Sequence, residues 1–239
     1  MIEAPRIVLC IPGPWQDRSQ FLAAIVRGSG GYLFAGRILR HVQTGDAFEL
    51  QYEPRDPRMA AAFAAAGPHW RGSAEMARID AHASVAYLIG VGGSRVRAEA
   101  MMAAAAALLE AGGLGVKVES SGVAHSAAAW RQLCAERSQC SAHRAYVLNV
   151  TGAQVHSCGM HHFGMKDAIV AVQAASDPVA LLHSFTWYLF TEASAMREGH
   201  TFSVAPQAPR YRLDAEPGTQ FQPGDLFANP YGLWRLTPL

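Results

Sequence analysis

The chain has 239 residues, 50% of them hydrophobic and 16% charged, with a net charge of +1. This is ample material for a core, and the near-balance of charge excludes the basic stripe that a dedicated nucleic-acid binder carries. No uncharged apolar run reaches the roughly 18 residues of a membrane-spanning helix; the richest stretch, Val179–Phe190, is shorter and contains His183.

The N-terminal MIEAPRIVLCIPGPW lacks the basic start, long apolar run and small-residue cleavage site of a signal peptide, and reads as a first strand. Cys10, Cys134, Cys140 and Cys158 are widely spread, so no disulfide framework is expected and the cytoplasm is the expected compartment. Only Lys117 and Lys166 are lysine, against many Arg and Ala. That usage fits a GC-rich bacterial genome and makes single arginines weak evidence for anion binding.

Arg6–Ile11 predicts a strand closed by Pro12-Gly13-Pro14. Asp17 or Ser19 caps a helix with Phe21, Leu22, Ile25 and Val26 on one face, ending at Gly28. Tyr32–Val42 predicts a strand, Thr44-Gly45-Asp46 a turn, and Ala47–Glu53 the returning strand of a hairpin. A short Ala-rich helix follows Asp56-Pro57 and stops at Gly67-Pro68, and 68–78 read as irregular.

Ala83–Val91 is a strong strand. Gly92-Gly93-Ser94 leads into a helix over 95–111, Gly112-Gly113 stops it, and Leu114–Glu119 is the next strand. The same strand, helix, Gly-Gly, strand order occupies 6–42, which suggests crossover connections and two related half-units. Ala124–Arg137 reads as a helix. Ala145–Val150 and Gln154–Ser157 read as strands flanking a Thr151-Gly152 turn. Asp177-Pro178 opens what reads as the longest helix, buried on most sides and ending at Gly199, and short strands fall near 201–204, 210–214 and 233–236. The expected fold is α+β: a mixed, largely antiparallel sheet with layered helices, one domain over 1–239, with ferredoxin-like half-units at 1–92 and 93–239.

The densest chemistry lies in Val150–Asp167, VTGAQVHSCGMHHFGMKD, with His156, His161, His162, Cys158 and Asp167. Thiolate and imidazole suit zinc, so Cys158, His161 and His162 are the candidate metal ligands. His156, Asp167, His125 or His143 could supply a fourth. No paired C-x2-C or H-x3-H motif supports the set, and the plainer reading is a buried cysteine beside turn-forming histidines. A zinc site would generate hydroxide for hydrolysis, with Asp167 orienting a ligand. Alternatively, Cys158 is a nucleophile with a nearby His as base.

Other motifs are weaker. Gly90–Ser94 could cradle a phosphate at a helix start, but Arg95 replaces the sixth-position Gly of a dinucleotide fingerprint, and a tight turn explains it as well. Ser120-Ser121-Gly122 with His125 lacks the G-x-S-x-G elbow and reads as a turn. His69-Trp70 would form a binding surface if exposed. Asn229–Leu236 reads as a turn docking the chain end, or as a partner-binding hook. Gly164 is expected to let Phe163 enter the core while the chain reverses.

The order Ser157-Cys158-Gly159-Met160, then Phe163-Gly164-Met165-Lys166-Asp167, then a long helix and Gly199-His200-Thr201-Phe202, resembles bacterial proteins of the domain of unknown function 4261 family. The motif residues are Gly159, Met160, Phe163, Gly164 and Asp167, and the Leu109–Val118 segment is also similar. The resemblance covers the second half closely and the first half loosely. It carries over no catalytic residues, and it implies immunity-type or accessory binding roles. Taken with the missing catalytic signatures, it sets the expectation of a non-enzymatic binding protein. Its expected partner is another protein, not nucleic acid or membrane, and no cofactor is expected. The metal-assisted hydrolase is the alternative.

Overall fold

The computed structural model describes residues 4–136, 141–192, 195–218, 221–222, 225 and 228–239. The fold is α+β, with two mostly antiparallel sheets. The chain divides into two compact units: Arg6–Val91 with Val96–Arg137, and Met1–Pro5 with Gly92–Arg95 and Ser138–Leu239. The 92–93 step thus opens a four-residue excursion, and the longer change of unit comes at 137–138.

The first unit holds β1 (Arg6–Gly13), α1 (Arg18–Gly28), β2 (Tyr32–Ala35), β3 (Ile38–His41), β4 (Ala47–Pro54), α2 (Met59–Ala65), α3 (Ala74–Asp80), β5 (Ser84–Val91), α4 (Arg95–Glu110), β6 (Gly115–Val118), β7 (Ala124–Ser126) and α5 (Ala127–Glu136). Its sheet order is β2-β3-β4-β5-β1-β6-β7, antiparallel throughout. β4 and β1 both run against β5, and β5 and β6 both run against β1. The crossovers β1-α1-β4 and β5-α4-β6 therefore interleave as β4-β5-β1-β6, the split arrangement of ferredoxin-like folds. One sheet face, with Leu9, Ile11, Leu50 and Leu88, is fully buried. Phe21 of α1 stacks on Tyr52 there, and Met101 of α4 lies against Gly90. On the other face Cys10 and Val85 pack with Met59, Phe63, Trp70 and Ile79.

The second unit holds α6 (Ser141–Tyr146), β8 (Leu148–Thr151), β9 (Gln154–Cys158), β10 (Asp167–Ala171), α7 (Pro178–Glu192), β11 (Thr201–Phe202), β12 (Tyr211–Glu216) and β13 (Leu233–Pro238). The order is β11-β12-β13-β10-β9-β8, with β10 and β13 the parallel pair. β10 is buried along most of its length, as a strand covered on both faces must be. α7 packs across β8, β9 and β10, with Asp177 accepting from the Ala180 N–H as its cap.

Several local expectations change. β1 runs through Pro12, because proline lacks only the donor and its carbonyl still accepts from the Leu114 N–H. The Tyr32–Val42 run breaks into β2 and β3 at Gly36, where φ is +60°. Within 68–78, expected to be irregular, α3 begins at Ala74, capped by Ser73 Oγ, which accepts from the Met76 N–H. Residues 124–126 pair with β6 as β7 before the helix begins. Ala145 and Tyr146 are helical, the end of α6. α7 is described to Glu192 and has 15 residues, one fewer than α4. Val26 is exposed.

Candidate functional site

The segment rich in His, Cys and Asp forms a buried polar network in the second unit, in which the buried His161 Nδ1 has no hydrogen-bond partner. β9 ends at Cys158, and Gly159, with φ +123°, turns the chain into a short 3-10 helix over Met160–Phe163. A side chain at 159 would meet the Tyr146 carbonyl at 2.1 Å, so only glycine fits. Gly164, with φ +80°, ends the turn and sets Phe163 edge-on to Phe190 at 4.8 Å. The expected role of Gly164 is therefore observed.

Asp167 is the hub. Its Oδ1 accepts from Ser157 Oγ at 3.0 Å and from the Met160 N–H at 3.1 Å. Its Oδ2 accepts from Asn229 Nδ2 at 2.7 Å. His161 Nδ1 lies 3.6 Å from Oδ2, beyond good hydrogen-bond geometry. Asn229 also donates to the Met165 carbonyl, its Oδ1 accepts from the Tyr231 N–H, and Lys166 Nζ reaches the Tyr231 carbonyl at 2.7 Å. Every member from Ser157 to Asn229 that touches Asp167 is at most 5% exposed. These bonds answer the cost of burying a carboxylate.

Among the described residues no three His, Cys, Asp or Glu side chains are grouped to hold a metal ion. Cys158 is fully buried, and burial, followed by the charge of Asp167, pushes its thiol up. A protonated, enclosed thiol is a poor nucleophile. His162 is held neutral, its pKa well below the ordinary value because of burial and then His161, with the two rings 4.1 Å apart. Of the fourth-ligand candidates, Asp167 accepts three hydrogen bonds, and His125 lies on β7 in the first unit. His156 lies on β9, its pKa lowered by burial and by Arg235. His143 Nε2 sits 3.1 Å from Thr186 Oγ1. Cys140 lies outside the described residues.

Other candidates resolve plainly. Gly92 and Gly93 spend their backbone N–H groups on the Pro5 and His162 carbonyls, so that turn is no open phosphate cradle. Ser121 is buried in a turn closed by the Val118 carbonyl. Trp70 and Trp234, which would mark a binding surface if exposed, are 2% and 6% exposed. Asn229 makes the C-terminal turn a docking element.

An open concave surface lies beside α7. A cavity of about 560 Å³ is lined by Arg144, His183, Ser184, Trp187, Tyr188 and Phe202 among others. A second, of about 510 Å³, runs past Asp177, Leu181, Ser184, Val204 and Tyr211. Ser184 and Val204 belong to both, so the two join in one groove. Along α7 the lining positions 177, 180/181, 184 and 187/188 fall on one stripe of helix, spanning roughly 16 Å. The sequence marks this stripe only faintly, as a second aromatic face on a helix that is apolar nearly all round. His183 lies parallel to Trp187, at 9°, and the two rings form a flat wall.

Behind it, Thr186 Oγ1 lies 2.9 Å from the Leu182 carbonyl and 3.1 Å from His143 Nε2, which ties His143 to α7. Burial, then His183, lowers the His143 pKa to about 4. Neutral His143 supports the wall edge-on to Trp187.

No helix among the described residues is long and apolar enough to cross a membrane. Comparison with protein-family models, with curated proteins and with solved structures finds no match.

Proposed function

We propose that this chain is a bacterial cytoplasmic protein that acts by binding another protein, in an immunity-like or accessory role, and that the groove beside α7 is where the partner sits. The observation carrying this reading is a division of chemistry. The candidate side chains Cys158, His162 and Asp167 are enclosed, whereas the groove is lined by aromatic and small polar side chains together with Arg144 and the exposed imidazole of His183. Catalysis needs an accessible nucleophile, base or metal. Recognition needs anchors of the kind Trp187, Tyr188 and Arg144 supply. The resemblance to the domain of unknown function 4261 family is part of the same proposal.

A photo-crosslinking amino acid at Ser184, with exposed Val26 of α1 as the control position, tests it in cells of the native host. The expected result is a partner captured from 184 and not from 26, which then binds the purified chain in stoichiometric amount by calorimetry. Capture from neither position, together with turnover of a substrate by the purified chain, would overturn the proposal.

A further inference from the structure

The groove is not uniform, and its asymmetry names its occupant. One end carries Arg144 and His183, and the other carries Asp177. Apolar or aromatic side chains line both cavities, Trp187, Tyr188 and Phe202 the first and Leu181 and Tyr211 the second. Ser184 stands where the two cavities meet. A small aromatic acid would fill one cavity and leave the other unused. A lipid chain would gain nothing from Asp177, Ser176, Gln173 and Arg144 in the walls. An extended polypeptide rises about 3.3 Å per residue, so four or five residues span the ~16 Å stripe. Its side chains on one face recur about every 6.6 Å, which lets successive anchors enter the two cavities while polar walls meet its amides.

We infer that the groove takes an extended segment of the partner protein, with an acidic side chain at the Arg144–His183 end and apolar anchors against Trp187, Tyr188 and Phe202. The inference rests on the binding-protein reading and adds the chemistry of the partner. The acidic group meets the guanidinium and the exposed imidazole of His183, and Asp177 discourages the reverse orientation by like-charge repulsion.

The test is selection of a random peptide library displayed on phage against the immobilised full chain, with the Ser184→Trp variant as the blocked control. Selected peptides are then made synthetically and titrated by fluorescence anisotropy. The expected result is enrichment of peptides pairing Asp or Glu with aromatic or aliphatic residues. Their binding should fall more than about tenfold in Ser184→Trp, by loss of the central anchor site. It should fall roughly two- to fivefold in Arg144→Ala, the range for an exposed ion pair, and weaken with salt. Both variants are checked for an unchanged melting temperature. If Ser184→Trp melts early, Ser184→Lys, which places a long side chain at the same constriction, replaces it. Enriched peptides without acidic residues, or binding indifferent to Arg144→Ala, would overturn the acidic-segment inference and leave the binding reading standing. No enrichment over the blocked variant would overturn both.

Discussion

Asn229 and Asp167 are 62 residues apart in the chain and 2.7 Å apart in space, the amide donating to the carboxylate where both side chains are buried. The bond ties the approach to β13 to the start of β10, the two strands that run parallel at the centre of the second sheet. Removing the amide leaves a buried carboxylate short of a donor. Asn229→Ala is expected to destabilise the protein by about 2–3 kcal/mol, the cost of an unsatisfied charged acceptor. Asn229→Asp is expected to cost more, since two carboxylates would share one enclosure. Urea unfolding of both variants checks the order; equal midpoints for wild type and Asn229→Asp would show that Asp167 does not depend on this partner.

Gly164 makes a second, independent prediction. Its φ is +80°, and a methyl group there would lie 2.6 Å from the Gly93 carbonyl oxygen. Both the backbone conformation and the space favour glycine, so Gly164→Ala is expected to lower stability by about 1–3 kcal/mol. Because the strain lies in the turn that seats Phe163, hydrogen exchange should quicken first at 160–166. An unchanged melting temperature would mean the turn relaxes at no cost.

The pH dependence has a definite sign. His143 is held near a pKa of about 4, against an ordinary 6.5, so the unfolded chain binds the proton more readily than the folded one. Its contribution is therefore complete above about pH 6.5, shrinks as pH falls, and is gone below about 4. The loss is on the order of 3 kcal/mol. His143→Gln, which keeps a hydrogen-bonding group near Thr186, should flatten this part of the stability profile between those limits. His162, shifted in the same direction, keeps the remainder. A profile for the variant that superimposes on the wild type would remove His143 from the account.

Thiol chemistry offers a fourth check. Cys10 and Cys158 are fully buried with thiols pushed up by desolvation, while Cys134 is half-buried with its pKa raised to about 11. Iodoacetamide on the native protein should spare Cys10 and Cys158 and label them only after denaturation, as read by mass spectrometry of peptides. Rapid native labelling of Cys158 would restore it as a candidate nucleophile.

The parts of this fold readable from the chain were those with local punctuation. β5, α4 and β6 are bounded by Gly92-Gly93 and Gly112-Gly113, and α1 carries its cap in Asp17, which accepts from the Gln20 N–H. Local pattern misleads where the surrounding structure overrides it. Ala145-Tyr146-Val147 has strand composition, yet the first two residues finish a helix, with Ala145 and Tyr146 buried. Gly36 sits inside a run rich in strand formers and turns it. At the site, His, Cys and Asp are concentrated within 156–167, but the network around Asp167 also needs Asn229, which nothing local in the sequence connects to it. The groove was less visible still, because one wall is a helical stripe and the other comes from 202–211.

The strand order of the second sheet bears on how the protein is made. β13 is translated after β8 to β12, yet it lies between β12 and β10. Until it emerges from the ribosome, β10 lacks its parallel neighbour and the β8-β9-β10 piece shows a bare edge. Asp167 waits through the same interval without Asn229. Chaperone dependence during synthesis should therefore track how long Leu233–Pro238 is delayed, and a pause in translation just before this strand would be a period of exposure to aggregation.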